Sequence, residues 1–281
     1  MPAIVLLAKP RAGAHGFNSI VRTHPQISVF AEIFHDALVE QEQNFFGFVW
    51  KEAERMKQFC MPYHHSRLKI FGEYLEYLET RSKTPRFIID IKYNVIRHMD
   101  GIWKDLLDPP DLLQYFMDYK IPVVHLVRRN VLRVLLSETR AHQTGLWVVR
   151  PGQEKPPKVK DVALDAGQIV HQLAARVREI DAYDKLLSVG DKVHTVIYEE
   201  LFDKSNSGPY STDIISRLAS FLELEDRFDG AMDSIKISTG DLTTEISNYK
   251  EIEAALRGTV WATLLRDEPI DWPALVAASR T

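Results

Sequence analysis

Arg128 and Arg129 close the apolar run Val123-Val124-His125-Leu126-Val127, and Ser137 follows eight residues after Arg129. Eight residues is about two helical turns at ~3.6 residues per turn, so Ser137 can lie on the same side of a helix that starts after Arg129. A fixed cation and a hydroxyl converging from a strand–helix step form a clamp for a phosphate-like anion. The competing reading is a solvated arginine pair and an outward serine. Arg128 is a second cation for such a ligand, or simply solvated.

A second candidate stands at the start of the chain. Ile4-Val5-Leu6-Leu7-Ala8 runs into the loop Lys9-Pro10-Arg11-Ala12-Gly13-Ala14-His15-Gly16, and a helix is expected from Phe17 to Arg22. A strand, a glycine-containing loop and a helix N-terminus present backbone N–H groups and the positive helix end to an anion. No Gly-Lys-Ser/Thr ends this loop, so it is not a Walker A loop, and a nucleoside-triphosphatase or P-loop kinase is disfavoured. Lys92, at the end of another apolar run, adds a third cation, or is a strand-end surface lysine.

These residues need a sheet to hold them. Apolar runs at 4–8, 27–30 (ending at Glu32), 87–93, 122–127 and 193–198 predict strands. Amphipathic spacing predicts helices over 130–144, with Gly145 as C-cap, over 169–187 and through 214–222, and again around 252–264. Strands alternating with helices predict an α/β fold with a central, mainly parallel sheet flanked by helices. Ligands then bind beyond the carboxyl ends of the strands, where Arg11, Lys92 and Arg129 fall.

One domain over 1–281 is expected, with a helical insert at about 36–80 and a Pro/Lys-rich loop of lid length at 148–166. The insert is rich in aromatics (Phe45, Phe46, Phe48, Trp50, Phe59, Tyr63, Tyr74), read as helix packing, with an acceptor wall or a homodimer interface as the other uses. Trp147 and the loop after it are further acceptor-wall candidates.

The chain has 281 residues, a net charge of -4 and 45% hydrophobic residues. An acidic body argues against nucleic-acid binding and confines any anion site to a local basic cluster. The single cysteine, Cys60, excludes an internal disulfide and a cysteine zinc site. His64, His65 and His142 lack ligand-spaced partners, so no metal is expected. No membrane span and no signal-peptide core is visible, which makes cytoplasmic residence the expectation.

The two strand–helix steps together resemble the sulfotransferases that use 3′-phosphoadenosine 5′-phosphosulfate (PAPS). Pro10-Arg11-Ala12-Gly13-Ala14-His15 lines up with that family's Pro-Arg-Ser-Gly-Thr-Thr. Arg129 and Ser137 line up with its 3′-phosphate pair. Tyr198-Glu199-Glu200-Leu201 is similar to its Tyr-Glu-x-Leu. Lys236-Ile237-Ser238-Thr239 resembles the late Lys-x-Ser segment that closes over the nucleotide, and Asn248-Tyr249 the Asn-Tyr after it. His24-Pro25 and Glu32-Ile33-Phe34 resemble the bacterial, carbohydrate-type branch typified by trehalose 2-sulfotransferase and nodulation-factor sulfotransferases.

The resemblance implies a P-loop-like three-layer fold. It implies PAPS as donor, no metal, and a hydroxyl acceptor that is a carbohydrate, lipid-linked or another small molecule. The nucleotide site would comprise Arg11, Ala12, Gly13, Ala14, His15, Gly16, Arg129, Ser137, Tyr198, Lys236, Ser238 and Thr239. Arg11 would contact the phosphosulfate and steady the leaving group, with Lys92 near the sulfuryl oxygens. Glu32 matches the branch's catalytic glutamate; His35 is the second candidate for the base. Ala12, Ala14 and His15 stand where the family has hydroxyl residues, with His15 or Ser19 as substitutes. That departure leaves a second reading: a degenerate sulfotransferase-fold protein that binds nucleotide or a partner without catalysis.

Overall fold

The computed structural model describes residues 2–55, 64–101, 103–105, 108–145, 162–203, 208–225, 228, 241–266 and 268–280. Five strands, β1 (Ala3–Ala8), β2 (Ile27–Glu32), β3 (Arg86–Lys92), β4 (Val123–Val127) and β5 (Val193–Ile197), form one sheet in the order β2-β3-β1-β4-β5. Every neighbouring pair is parallel. The helices in chain order are α1 (Ala14–Val21), α2 (Phe45–Arg55), α3 (His64–Arg81), α4 (Asp111–Asp118), α5 (Val131–Thr144) and α6 (Ile169–Leu187). Then come α7 (Tyr198–Leu201), α8 (Thr212–Phe221), α9 (Leu242–Glu245), α10 (Tyr249–Leu256) and α11 (Trp272–Ala278).

All six residues of β1 are buried, as a central parallel strand requires. Ala3, Val5 and Leu7 join one core with residues of α2 to α6, α10 and α11. Ile4, Leu6 and Ala8 join the other, against α1 and α8. This is the expected α/β three-layer arrangement, with a wholly parallel sheet. β1 and β4 lie side by side, yet α1 leaves β1 towards one face and α5 leaves β4 towards the other. Such divergence opens a crevice beyond the carboxyl ends of the two strands, where ligands of doubly wound sheets bind.

Local signals explain the elements around that crevice. Asn130 caps α5, its side chain accepting from the Arg133 N–H at 3.1 Å, and Gly145 ends the helix in the left-handed region at φ 68°. In β2 the register shifts between Phe30, opposite Ile89, and Glu32, opposite Asp90. Ala31 is the extra residue of this bulge, which turns the Glu32 side chain towards the strand end that carries Lys92.

Most described aromatics of the 36–80 segment pack as expected: Phe45, Phe71 and Tyr74 are buried with their rings in contact with one another and with Phe34, just before the segment. Trp50 does not, being 70% exposed on α2. Phe59, Tyr63 and Trp147 lie outside the described residues. Four short helices, α4, α7, α9 and α11, are not legible in the sequence pattern. α4 follows Pro109-Pro110 and α11 opens on Trp272-Pro273, capped by Asp271. Proline in the first turn of a helix reads in sequence as a loop. Among the described residues no helix is long and apolar enough to cross a membrane.

Candidate functional site

The loop after β1 is a tight turn in which the Ala12 N–H donates to the Lys9 carbonyl at 3.1 Å. Arg11 takes a positive φ of 66°, and Gly13, the N-cap of α1, one of 98° with no side-chain cap. A Cβ on Gly13 would fall 2.3 Å from Cε2 of Tyr198, so this glycine is required both by its φ and by the ring laid against it. Gly13→Ala should therefore cost at least about 1–3 kcal/mol of backbone strain, read as a Tm lower by roughly 2–4 °C per kcal/mol. An unchanged Tm would contradict this packing.

Ala12 and Ala14 are buried in the core beneath α1, with Phe17 and Leu201, while His15 is exposed and Gly16 half-buried. The alanines thus fill space; only position 15 of the three faces solvent. Ser19, the other candidate substitute besides His15, is buried.

The two motifs read from the sequence meet. Arg11 Nε donates to Ser137 Oγ at 2.9 Å across 126 residues of chain. The serine oxygen accepts this bond and keeps its own O–H to donate, the state needed to bind an anion. Burial, then the neighbouring Arg128 and Arg140 guanidiniums, hold Arg11 below the ordinary arginine range, against the opposing pull of Glu138 and Glu32. A crowd of partly buried cations is an electrostatic invitation to an anion.

Arg128 lies with Cζ 4.4 Å from the Tyr198 ring centroid and reaches the Arg11 carbonyl from Nη1 at 3.5 Å. Arg129 is one-third exposed and 3.9 Å from Glu200. Tyr198-Glu199-Glu200-Leu201 forms α7 and ties the pieces together. The Glu199 carboxylate accepts from the backbone N–H groups of Arg129 (3.0 Å) and Asn130 (2.9 Å). Those two N–H groups are therefore taken by the protein's own carboxylate, so any anion at this step would meet side chains rather than these amides. One turn beyond Ser137, Arg140 pairs with buried Glu245 of α9 at 2.9 Å.

The third group of residues stands at the ends of β2 and β3. Lys92 is buried rather than a surface lysine; its Nζ lies 2.5 Å from Asp90 and 3.5 Å from Glu32. Asn18 of α1 donates to the other Asp90 oxygen at 3.0 Å. Burial raises the Asp90 carboxyl above its ordinary range, opposed by the Lys92 charge and reinforced by Glu32. Glu32 is 42% exposed, so a group arriving from solvent can reach it. His35 instead caps a short helical turn, its Nδ1 accepting from the Ala37 N–H at 3.2 Å.

Lys236, Ser238 and Thr239 lie outside the described residues, as do 148–161 of the lid-length loop. The described flanks are joined. Val162 and Ile246 form a parallel bridge, and Asn248 bonds both ways with the Leu164 backbone, at 3.1 and 2.8 Å.

Sequence reasoning passed over Asp90, Glu199 and Arg140. Asp90 had a signal: a carboxylate two residues before Lys92 in an apolar strand puts both on one face. Arg140 follows Ser137 by three, a helical neighbour. Glu199 stands out in the sequence only as part of the Tyr-Glu-x-Leu motif.

No family model matches the chain. It is 23% identical over 266 residues to nodulation protein H of Rhizobium tropici, covering 92% of this chain and 90% of that protein. Among solved structures it is similar to a sulfotransferase from Alicyclobacillus acidocaldarius, with a TM-score of 0.46 and 12% identity over 97% of this chain and 99% of that one. It is likewise similar to mouse sulfotransferase SULT7A1 complexed with PAP, with a TM-score of 0.43 and 12% identity over 97% and 78%.

Proposed function

We propose that the chain is a sulfotransferase that moves a sulfuryl group from PAPS to the hydroxyl of a carbohydrate, a lipid-linked acceptor or another small molecule. The observation that carries this reading is the Arg11–Ser137 hydrogen bond at the crevice between β1 and β4. It unites the two motifs expected to hold the two ends of the donor. The similarity to nodulation protein H, nearly end to end in both chains, supports the same relationship.

In this reading the acceptor oxygen attacks sulfur in line, the bond from sulfur to the 5′-phosphate oxygen breaks, and the bisphosphate leaves with the charge. Such transfer needs positioning and charge stabilisation more than covalent catalysis. Arg129 and Ser137 hold the 3′-phosphate, and Arg11 offsets the charge growing on the leaving oxygen. Glu32 takes the acceptor's proton. Lys92 offsets part of the negative charge of Asp90 and Glu32 that would otherwise repel an anionic donor.

PAPS or the product 3′,5′-bisphosphate at 100 times its Kd should stabilise the protein by about 2.7 kcal/mol, a Tm rise of roughly 5–10 °C. Arg129→Ala should abolish the shift. Absence of any shift in the wild-type protein would end the donor assignment.

A further inference from the structure

The first loop poses a problem for any phosphosulfate donor. Two of its three non-glycine positions after Arg11, Ala12 and Ala14, carry buried methyl groups and no hydroxyl. A charged ligand end left with backbone N–H groups alone loses the side-chain donors that the resembling family places there. We infer that Arg128 supplies those donors: its guanidinium is the clamp for the 5′ end of the nucleotide, complementing Arg129 at the 3′ end. The inference deepens the proposed function and rests on it.

Three observations carry it. First is position. β4 lies between β1 and β5, and Arg128, the residue just past β4, leans over both neighbours, reaching the Arg11 carbonyl on one side and the Tyr198 ring on the other. That ring is the one laid against Gly13, so the guanidinium sits beside the first loop and not only at the start of α5.

Second is unused donor capacity. The Nε–H of Arg128 is buried with no hydrogen-bond partner among the described residues, and its contact with the Arg11 carbonyl is long, at 3.5 Å. Arginine offers five N–H donors in a rigid fork suited to phosphate and sulfate oxygens. Third is preorganisation. The cation–π contact with Tyr198, Cζ 4.4 Å from the ring centroid, restrains the guanidinium, which lowers the entropy lost when an anion is gripped. Adjacent arginines, Arg128 beside the first loop and Arg129 at the start of α5, then divide the two anionic ends of the ligand between them.

The test compares two nucleotides by calorimetric titration: adenosine 3′,5′-bisphosphate, with both phosphates, and adenosine 3′-monophosphate, with none at the 5′ end. Arg128→Gln should weaken the bisphosphate about 10- to 100-fold, the range for charged hydrogen bonds. It should leave the 3′-monophosphate within about twofold, which also shows that the variant is folded. Arg129→Gln should weaken both. Arg128→Lys, which keeps the charge but loses the fork, should fall between wild type and Arg128→Gln.

Unchanged bisphosphate affinity in Arg128→Gln overturns the inference. So does an equal loss of both ligands in Arg128→Gln and Arg128→Lys, which would assign Arg128 to the scaffold. If wild-type protein binds neither nucleotide, the donor assignment itself fails, an outcome distinct from any behaviour of Arg128.

Discussion

Glu32→Gln should lower kcat by about 10²–10⁴-fold, the usual range for a lost general base, while nucleotide affinity should stay within about twofold. Glutamine keeps the size and the hydrogen-bonding oxygen but cannot take the acceptor's proton. The geometry singles out this residue because the bulge at Ala31 aims it at the strand end where Lys92 stands, 3.5 Å away. Its 42% exposure leaves an oxygen open to an incoming hydroxyl. His35→Gln is the control. His35 Nδ1 is engaged with the Ala37 N–H, so its loss should change kcat less than tenfold. A larger loss from His35→Gln than from Glu32→Gln would exchange their roles. The measurement is steady-state kinetics with any acceptor that supports turnover of PAPS, and turnover by the wild type would itself exclude the degenerate, non-catalytic reading.

Arg11→Ala should lower kcat/KM by about 10³-fold or more. Loss of one donor to a developing charge costs about 10²–10³-fold, and a transition-state arginine about 10³–10⁵-fold. In the proposed reaction Arg11 has two jobs: it stands at the leaving group, and its Nε–H donates to Ser137 Oγ, which leaves the serine O–H to donate to an anion. Arg11→Lys should recover little, because an ammonium cannot reproduce the fork. The double variant Arg11→Ala/Ser137→Ala should lose less than the product of the single losses, since the second removes a hydroxyl that the first has already disoriented. Full multiplicativity would show that the 2.9 Å contact does not link the two motifs.

Much of this site is legible in the sequence alone. Strand ends at Ala8, Lys92 and Val127 follow from short apolar runs, and parallel pairing follows from helices between them, so the cations at 11, 92 and 129 had to gather on one edge. The glycine at 13 and the Arg129–Ser137 spacing carried the same message.

What stayed hidden depends on contacts distant in sequence. Nothing local in Tyr-Glu-Glu-Leu says that the Glu199 carboxylate will cap the β4–α5 turn 70 residues earlier, or that Tyr198 will lie on Gly13. The bulge at Ala31 is equally silent, because one inserted residue shows only when the register with β3 is known. Burial of Ala12 and Ala14 turns an apparent loss of hydroxyl donors into core packing, and only the fold shows that Arg128 stands beside them.

The most direct measurement is the crystal structure of the protein with adenosine 3′,5′-bisphosphate. The account predicts the nucleotide in the crevice between β1 and β4, its 3′-phosphate within hydrogen-bonding distance of Arg129 and Ser137. The 5′-phosphate should lie over the loop from Arg11 to Gly16 within reach of Arg128. A nucleotide bound elsewhere, or one whose 3′-phosphate touches neither Arg129 nor Ser137, would contradict it.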